Sequence, residues 1–182
     1  IAPVVSQYDI ACINQETILV KDRELIESYP VFGSPIEVAD ALADTGFNVV
    51  TFASNHCFDK KETGITDTLS YFHETYPEIT TLGIHDTEAD AEAISIVEKN
   101  GIRIAMLNFT YGLNNSMPEK RWMIDMLSNP TQNRCFILRI KHRFLQEREA
   151  AAISQSQGGC ALCAGRPLFS INTPHRYRRC IP

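Results

Sequence analysis

A chain of 182 residues with 44% apolar composition is about one domain long and can bury a core of its own. It has no apolar run long enough to span a membrane, and a formal net charge of -5 without an aromatic-interleaved basic stretch argues against a nucleic-acid-binding protein. Residues 1–132 hold 8 Lys+Arg against 20 Asp+Glu, whereas residues 133–182 hold 9 against 2 together with four of the six cysteines, so a boundary is expected near residue 133.

Taken in order, residues 9–13 read as a short strand that delivers Asn14 and Glu16 to its carboxyl end. Residues 18–33 read as a polar, irregular loop. Ser34-Pro35-Ile36-Glu37 has the form of a capping box, with Pro at the first helical position. Ile36, Ala39 and Leu42 then repeat at helical spacing, and Gly46 supplies a left-handed stop. Val49, Val50, Phe52 and Ala53 form an apolar run with β-branched character, the pattern of a strand buried on both faces.

That run stops at Ser54-Asn55-His56-Cys57-Phe58-Asp59. In an open α/β sheet, ligands bind outside the carboxyl ends of the strands, so Asn55, His56 and Asp59 fall where such a fold keeps its chemistry, beside Asn14 and Glu16 from the earlier strand. Amide, imidazole and carboxylate groups bind divalent metals or phosphate-bearing substrates. Cys12 and Cys57, in or beside strands, read as buried free thiols.

Asp59 and Glu62 suggest a second capping arrangement, before a helix with Ile65, Leu69 and Phe72 on its apolar face that ends ahead of Pro77. His73 lies beside that face and reads as a surface or packing residue. Residues 79–82 form a third short strand, so strands and helices alternate in the manner of a parallel α/β core. Residues 83–90 read as a loop or helical turn, in which His85 is a weak site candidate. Residues 94–98 and 102–109 are extended runs joined through Asn100-Gly101, the signal of a type I′ hairpin, which predicts a mixed sheet flanked by helices. Asn108, Thr110 and Tyr111 end the last strand on a polar note, as candidates to line the same pocket or as a simple turn. Helical content is expected over residues 118–127 and 136–152.

The run from Gly46 to Asp59, followed by Gly64-Ile65-Thr66-Asp67-Thr68-Leu69, resembles the signature of the CapA family of capsule (poly-γ-glutamate) synthesis proteins. The resemblance extends upstream to residues 8–17 and downstream to residues 100–110, and so covers roughly residues 8–113. It implies an α/β fold similar to the calcineurin-like metallophosphoesterases, here an incomplete domain over residues 1–132, followed by an atypical basic tail over 133–182. It also implies a function in capsule synthesis in which a divalent metal (Mn, Fe or Zn) held by Asn14, Glu16, Asn55 and His56 activates water, and His56 and Asp59 act in catalysis. The implied partners are an anionic polymer or small phosphorylated substrate and other capsule-synthesis proteins, and the implied location is the bacterial cell envelope, although no signal or anchor is visible. A non-catalytic component that holds an anionic polymer is the alternative.

Two ions about 4 Å apart share carboxylate and imidazole donors from several strands. The early Gly-Asp motif and the late Gly-His-x-Pro-His-like motif of the family are not visible, and Ser54 stands where Asn is usual. Thr173-Pro174-His175 offers Pro-His without the preceding His. Cys160, Cys163, His175 and Cys180 have a spacing that fits no compact zinc knuckle, and Arg176, Arg178 and Arg179 read as a solvated end.

Overall fold

Three short parallel strands organise residues 1–128, the part of the chain that the computed structural model describes. After a single helical turn, α1 (Ala2–Val5), the chain enters β1 (Cys12–Asn14), then β2 (Leu19–Val20), β3 (Ser34–Pro35), α2 (Val38–Thr45), β4 (Val49–Thr51), α3 (Lys61–Thr75), β5 (Thr80–Leu82) and α4 (Glu88–Glu92). The hairpin β6 (Ile96–Lys99) and β7 (Ile102–Ala105) follows, and 3-10 turns lie at Arg23–Leu25 and Arg121–Met123. The sheet runs β1-β4-β5, with Cys12 opposite Val49 and Val49 opposite Thr80. The expected α/β architecture is therefore present.

β4 is the central strand because its side chains suit burial on both faces. Val49, Val50 and Phe52 are fully buried, and Phe52 meets Phe72 of α3 edge-on, with ring centroids 5.8 Å apart. Ile65, Leu69 and Phe72 form the buried stripe of α3, as their spacing predicts. Each such side chain contributes about 1.5–3 kcal/mol when removed from water, which explains how three-residue strands persist. α2 stops at Gly46, whose φ of 99° is the left-handed stop that was expected.

Other local expectations give way to longer-range partners. Ile18, Leu19 and Val20 belong to the core rather than to a loop: β2 pairs in parallel with β3, and the buried Thr68 hydroxyl of α3 binds both the N–H and the carbonyl of Leu19. Ser34 and Pro35 are strand residues and not a capping box. The amides of Ser34 and Ile36 donate to Ile18 and Val20, so the donor that Pro35 lacks is not needed. The Ser34 hydroxyl instead meets Thr17, and Glu37 binds Arg23.

The second capping arrangement is also absent. α3 begins without a side-chain cap because Asp59 is bound elsewhere and Glu62 pairs with Lys120. Residues 118–127 contain only the 3-10 turn Arg121–Met123 in place of a helix. Cys57 is buried, as expected, and burial pushes its thiol up to about 11, whereas Cys12 is exposed on an edge strand.

The β6–β7 turn has φ of 53° at Asn100 and 76° at Gly101, the geometry its sequence predicts. Parallel and antiparallel pairing are both present, in separate sheets. Beyond β7 the chain reaches β4 through a side chain: Asn108 Oδ1 accepts from the Ala53 amide at 2.6 Å. Gly83, at φ 90°, permits this approach, since a Cβ there would overlap Asn108 and Ala53. No helix among the described residues is long and apolar enough to cross a membrane. The helix expected over 136–152, the cysteine cluster and the arginine cluster lie outside the described residues.

Candidate functional site

The apolar run of β4 ends at Ala53, and the chain turns sharply through residues 54–60 before α3 starts. The Ser54 hydroxyl accepts from the His56 amide at 3.1 Å and donates to the Glu16 carbonyl at 2.5 Å. The turn is thus stitched to the loop after β1. Lys61 absorbs the change of direction with a φ of 56°, an uncommon conformation for a residue with a Cβ.

Within this turn His56 and Asp59 face each other. His56 Nδ1 lies 2.7 Å from Asp59 Oδ2, and the Asp59 side chain is 1% exposed. Two further donors complete the carboxylate: the Phe32 amide reaches Oδ2 at 2.9 Å, and Asn115 Nδ2 reaches Oδ1 at 2.8 Å. The Phe32 ring packs edge-on against the imidazole, with centroids 4.7 Å apart. A carboxylate with three donors is held as an acceptor, so His56 turns its Nδ1 N–H to Asp59 and Nε2 points away from that carboxylate. Asn114 Nδ2 lies 3.1 Å from Nε2 and 3.4 Å from Nδ1, and so sits against the face of the ring and not along the lone pair of either nitrogen.

The remaining predicted residues form the rim. Asn14 is exposed at the end of β1 and accepts from the Thr51 hydroxyl at 3.1 Å. Glu16 is exposed in the following loop, and Asn55 is half-buried, its carbonyl accepting from the Asn114 amide at 3.0 Å. Both loops project from the carboxyl ends of adjacent parallel strands, as the sequence pattern predicts.

Asn114 and Asn115 were not foreseen. Each contacts a partner more than 50 positions away in the chain, and an Asn-Asn pair in a loop carries no motif. Asn108 and Thr110 do lie near the carboxyl end of the sheet, but as framework: Asn108 binds Ala53, and the buried Thr110 bridges to Met126. Tyr111 is 75% exposed.

A divalent metal requires several anionic or imidazole donors converging on one point. Among the described residues no group of three or more His, Cys, Asp and Glu side chains does so. The Asp59 oxygens are taken by three donors, whereas His56, with Nδ1 facing Asp59, keeps Nε2 for a ligand in the manner of a carboxylate-supported imidazole, and Glu16 is the one carboxylate of the expected ligand set.

A second His–Asp cluster lies beyond β5. His85 Nδ1 is 3.0 Å from Asp90 Oδ2, and its Nε2 makes an ion-pair contact at 3.2 Å with Asp125 without hydrogen-bond alignment. Burial alone would push this imidazole down, but the carboxylates of Asp125 and Asp90 outweigh it and hold His85 up at about 9. His73 is exposed, as expected, 3.9 Å from Asp86.

No curated protein matches the chain. A family model does, the bacterial capsule synthesis protein PGA_cap, and its match extends past the charge switch near residue 133. With that model covering residues 1–156 of 182, the chain belongs to the bacterial capsule synthesis family that the motifs around His56 resemble.

Proposed function

We propose that this capsule synthesis protein cleaves or transfers a linkage of an anionic capsule polymer, poly-γ-glutamate by resemblance, with His56 moving the proton. The observation that carries this reading is the buried contact at 2.7 Å between Asp59 and His56 Nδ1, which leaves Nε2 as the ring nitrogen that faces no carboxylate. In that role Nε2 takes a proton from the attacking water as the water oxygen bonds to the linkage carbonyl. It then returns the proton to the departing amine, so the imidazole ends neutral. Asp59 stabilises the imidazolium formed between these steps and keeps the ring in register, and is a positioning residue. The rim of Asn14, Asn55 and Asn114 offers amide donors and acceptors, which suits an amide-linked chain better than a phosphoester. Of the nearby cations, Lys60 and Lys120 are paired with Glu27 and Glu62, and Lys61 donates to the Ser116 hydroxyl.

A second reading, in which the same rim holds the polymer without cutting it, is favoured by the Asn114 amide lying against the imidazole ring, 3.1 Å from Nε2 and 3.4 Å from Nδ1. Incubation of the purified chain with poly-γ-glutamate, followed by size-exclusion chromatography and amine detection, separates the two. Polymer shortening that is lost in His56→Ala, with an unchanged melting temperature, is the expected result. Equal shortening by both proteins overturns the role of His56. Retention of polymer without shortening by either protein establishes the holding role.

A further inference from the structure

Residues 27–33, in the connection between β2 and β3, form a loop closed at its base. The Glu27 amide donates to the Gly33 carbonyl at 3.1 Å, and the Gly33 amide to the Glu27 carbonyl at 3.0 Å. That base is tied to the turn carrying His56: Lys60 Nζ reaches the Glu27 carboxylate at 2.6 Å, and a Cβ at the buried Gly33 would overlap Lys60 and the Leu25 carbonyl. On the side of the site, the Phe32 amide donates to Asp59 at 2.9 Å. These contacts hold a loop whose tip is bare, for Ser28, Tyr29 and Pro30 are all exposed and Tyr29 is 82% exposed.

A single exposed ring is ordinary on a protein surface. Tyr29 differs in what stands behind it. Its ring meets Phe32 edge-on with centroids 6.4 Å apart, and Phe32 in turn meets the His56 imidazole at 4.7 Å. Two ring contacts therefore join the exposed phenol to the candidate centre, a span of a few residues of an extended chain. We propose that Tyr29 recognises the γ-linked backbone of the polymer, its ring covering backbone methylenes and its hydroxyl donating to an amide carbonyl a few residues from the linkage at His56. The inference rests on the proposed action on poly-γ-glutamate and names the contact that selects it. A γ-linkage places two methylenes in the backbone between successive amides and leaves the carboxylate to the side. An α-linkage puts the same methylenes in the side chain, beneath the carboxylate. A ring with an apolar body and a polar tip suits the first arrangement. Because the loop is pinned and a tyrosine has only two side-chain torsions, little freedom is lost when the contact forms.

The test compares fluorescently labelled decamers of poly-γ-glutamate and poly-α-glutamate, which carry the same charge per residue, so ionic attraction does not distinguish them. Anisotropy on mixing with the purified chain reads binding, and its later decay reads cleavage. The unaltered protein is expected to prefer the γ-linked decamer. Tyr29→Ala is expected to weaken binding of that decamer by about tenfold and to leave the α-linked one unchanged. Tyr29→Phe, which keeps the ring and loses one hydrogen bond, is expected to weaken it by about threefold. Equal binding of the two decamers by the unaltered protein, or a Tyr29→Ala effect that is absent or shared by both, overturns the assignment, and decay of the signal in that case keeps the hydrolytic reading. Should Tyr29→Ala melt lower, a loss in Tyr29→Phe confined to the γ-linked decamer decides for the contact, and no such loss decides against it. The expected Tyr29 pattern without decay keeps the contact and removes hydrolysis, whereas no binding of either decamer overturns both.

Discussion

Two histidines follow consecutive parallel strands of one sheet, and each meets aspartate, yet their surroundings give them opposite characters. After β4, His56 faces one carboxylate through Nδ1, and a neutral amide lies against its ring. After β5, His85 has a carboxylate against each nitrogen, Asp90 at 3.0 Å and Asp125 at 3.2 Å. One carboxylate orients an imidazole through a single nitrogen; two carboxylates hold His85 up at about 9, so its ring carries both protons at neutral pH. A His–Asp contact is therefore informative only when the second nitrogen is known. The His85 cluster works as a clamp. The chain at Gly83–His85 is bridged to Met123–Asp125 by backbone bonds on either side of Ile84 and Ile124, and the charged ring spans the same two segments.

The sharpest way to break this contrast is to remove one carboxylate from each cluster. Asp59→Ala leaves the Phe32 amide, the Asn115 amide and His56 Nδ1 without their acceptor in a buried place, and a loss of about 4 kcal/mol is expected. Asp90→Ala removes a carboxylate whose side chain is 47% exposed, and solvent screening reduces its effect to about 0.5–1 kcal/mol. Urea unfolding of the two variants measures both; comparable losses would mean that the two clusters play the same structural part.

Titration separates them next. The value of His85 is raised from its ordinary 6.5 to about 9, so its contribution is fully present below pH 6.5 and disappears as pH rises through 9. A shift of that size corresponds to about 3 kcal/mol. Asp90 is lowered by its bond to His85, so its share is present above its ordinary value and fades only in acid. Thermal unfolding is expected to show stability falling between pH 6.5 and 9, and His85→Gln to flatten that slope. A slope that survives in His85→Gln would assign it to another group.

The smallest effect concerns how the two turns are built. The turn after β5 uses Gly83 at φ 90°, whereas the turn after β4 places Lys61 at φ 56°. Lys61→Gly relieves that conformation and forgoes an exposed bond from Nζ to the Ser116 hydroxyl at 2.8 Å, so a net gain of about 0.5 kcal/mol is expected. Thermal melting reads it, and a decrease would show that the Lys61 side chain matters more than its backbone.

Much of the scaffold was legible without coordinates. The buried character of Val49 to Ala53, the stripe of Ile65, Leu69 and Phe72, the stop at Gly46 and the Asn100-Gly101 hairpin all follow from patterns confined to one segment. His56 and Asp59 are three residues apart, so their proximity was also local. The failures share one cause. Ile18 to Val20 are too short a run to show a period, and their burial depends on Thr68 and β3. Ser34 and Asp59 carry the residue types of helix caps, but Thr17 and His56 take their side chains first.

By itself, then, the amino-acid order determined the alternation of strands and helices, the family, and the location of polar groups at the ends of β1 and β4. Periodicity, turn chemistry and motif spacing act over a few neighbouring residues and survive in a linear reading. Only the tertiary structure decided what those polar groups can do. It brought Phe32, Asn114 and Asn115 onto the His56–Asp59 pair from distant loops, and it gave His85 a second carboxylate from residue 125. The state of an imidazole depends on partners within about 3 Å of each nitrogen, and contacts of that range between distant segments exist only once the chain has folded.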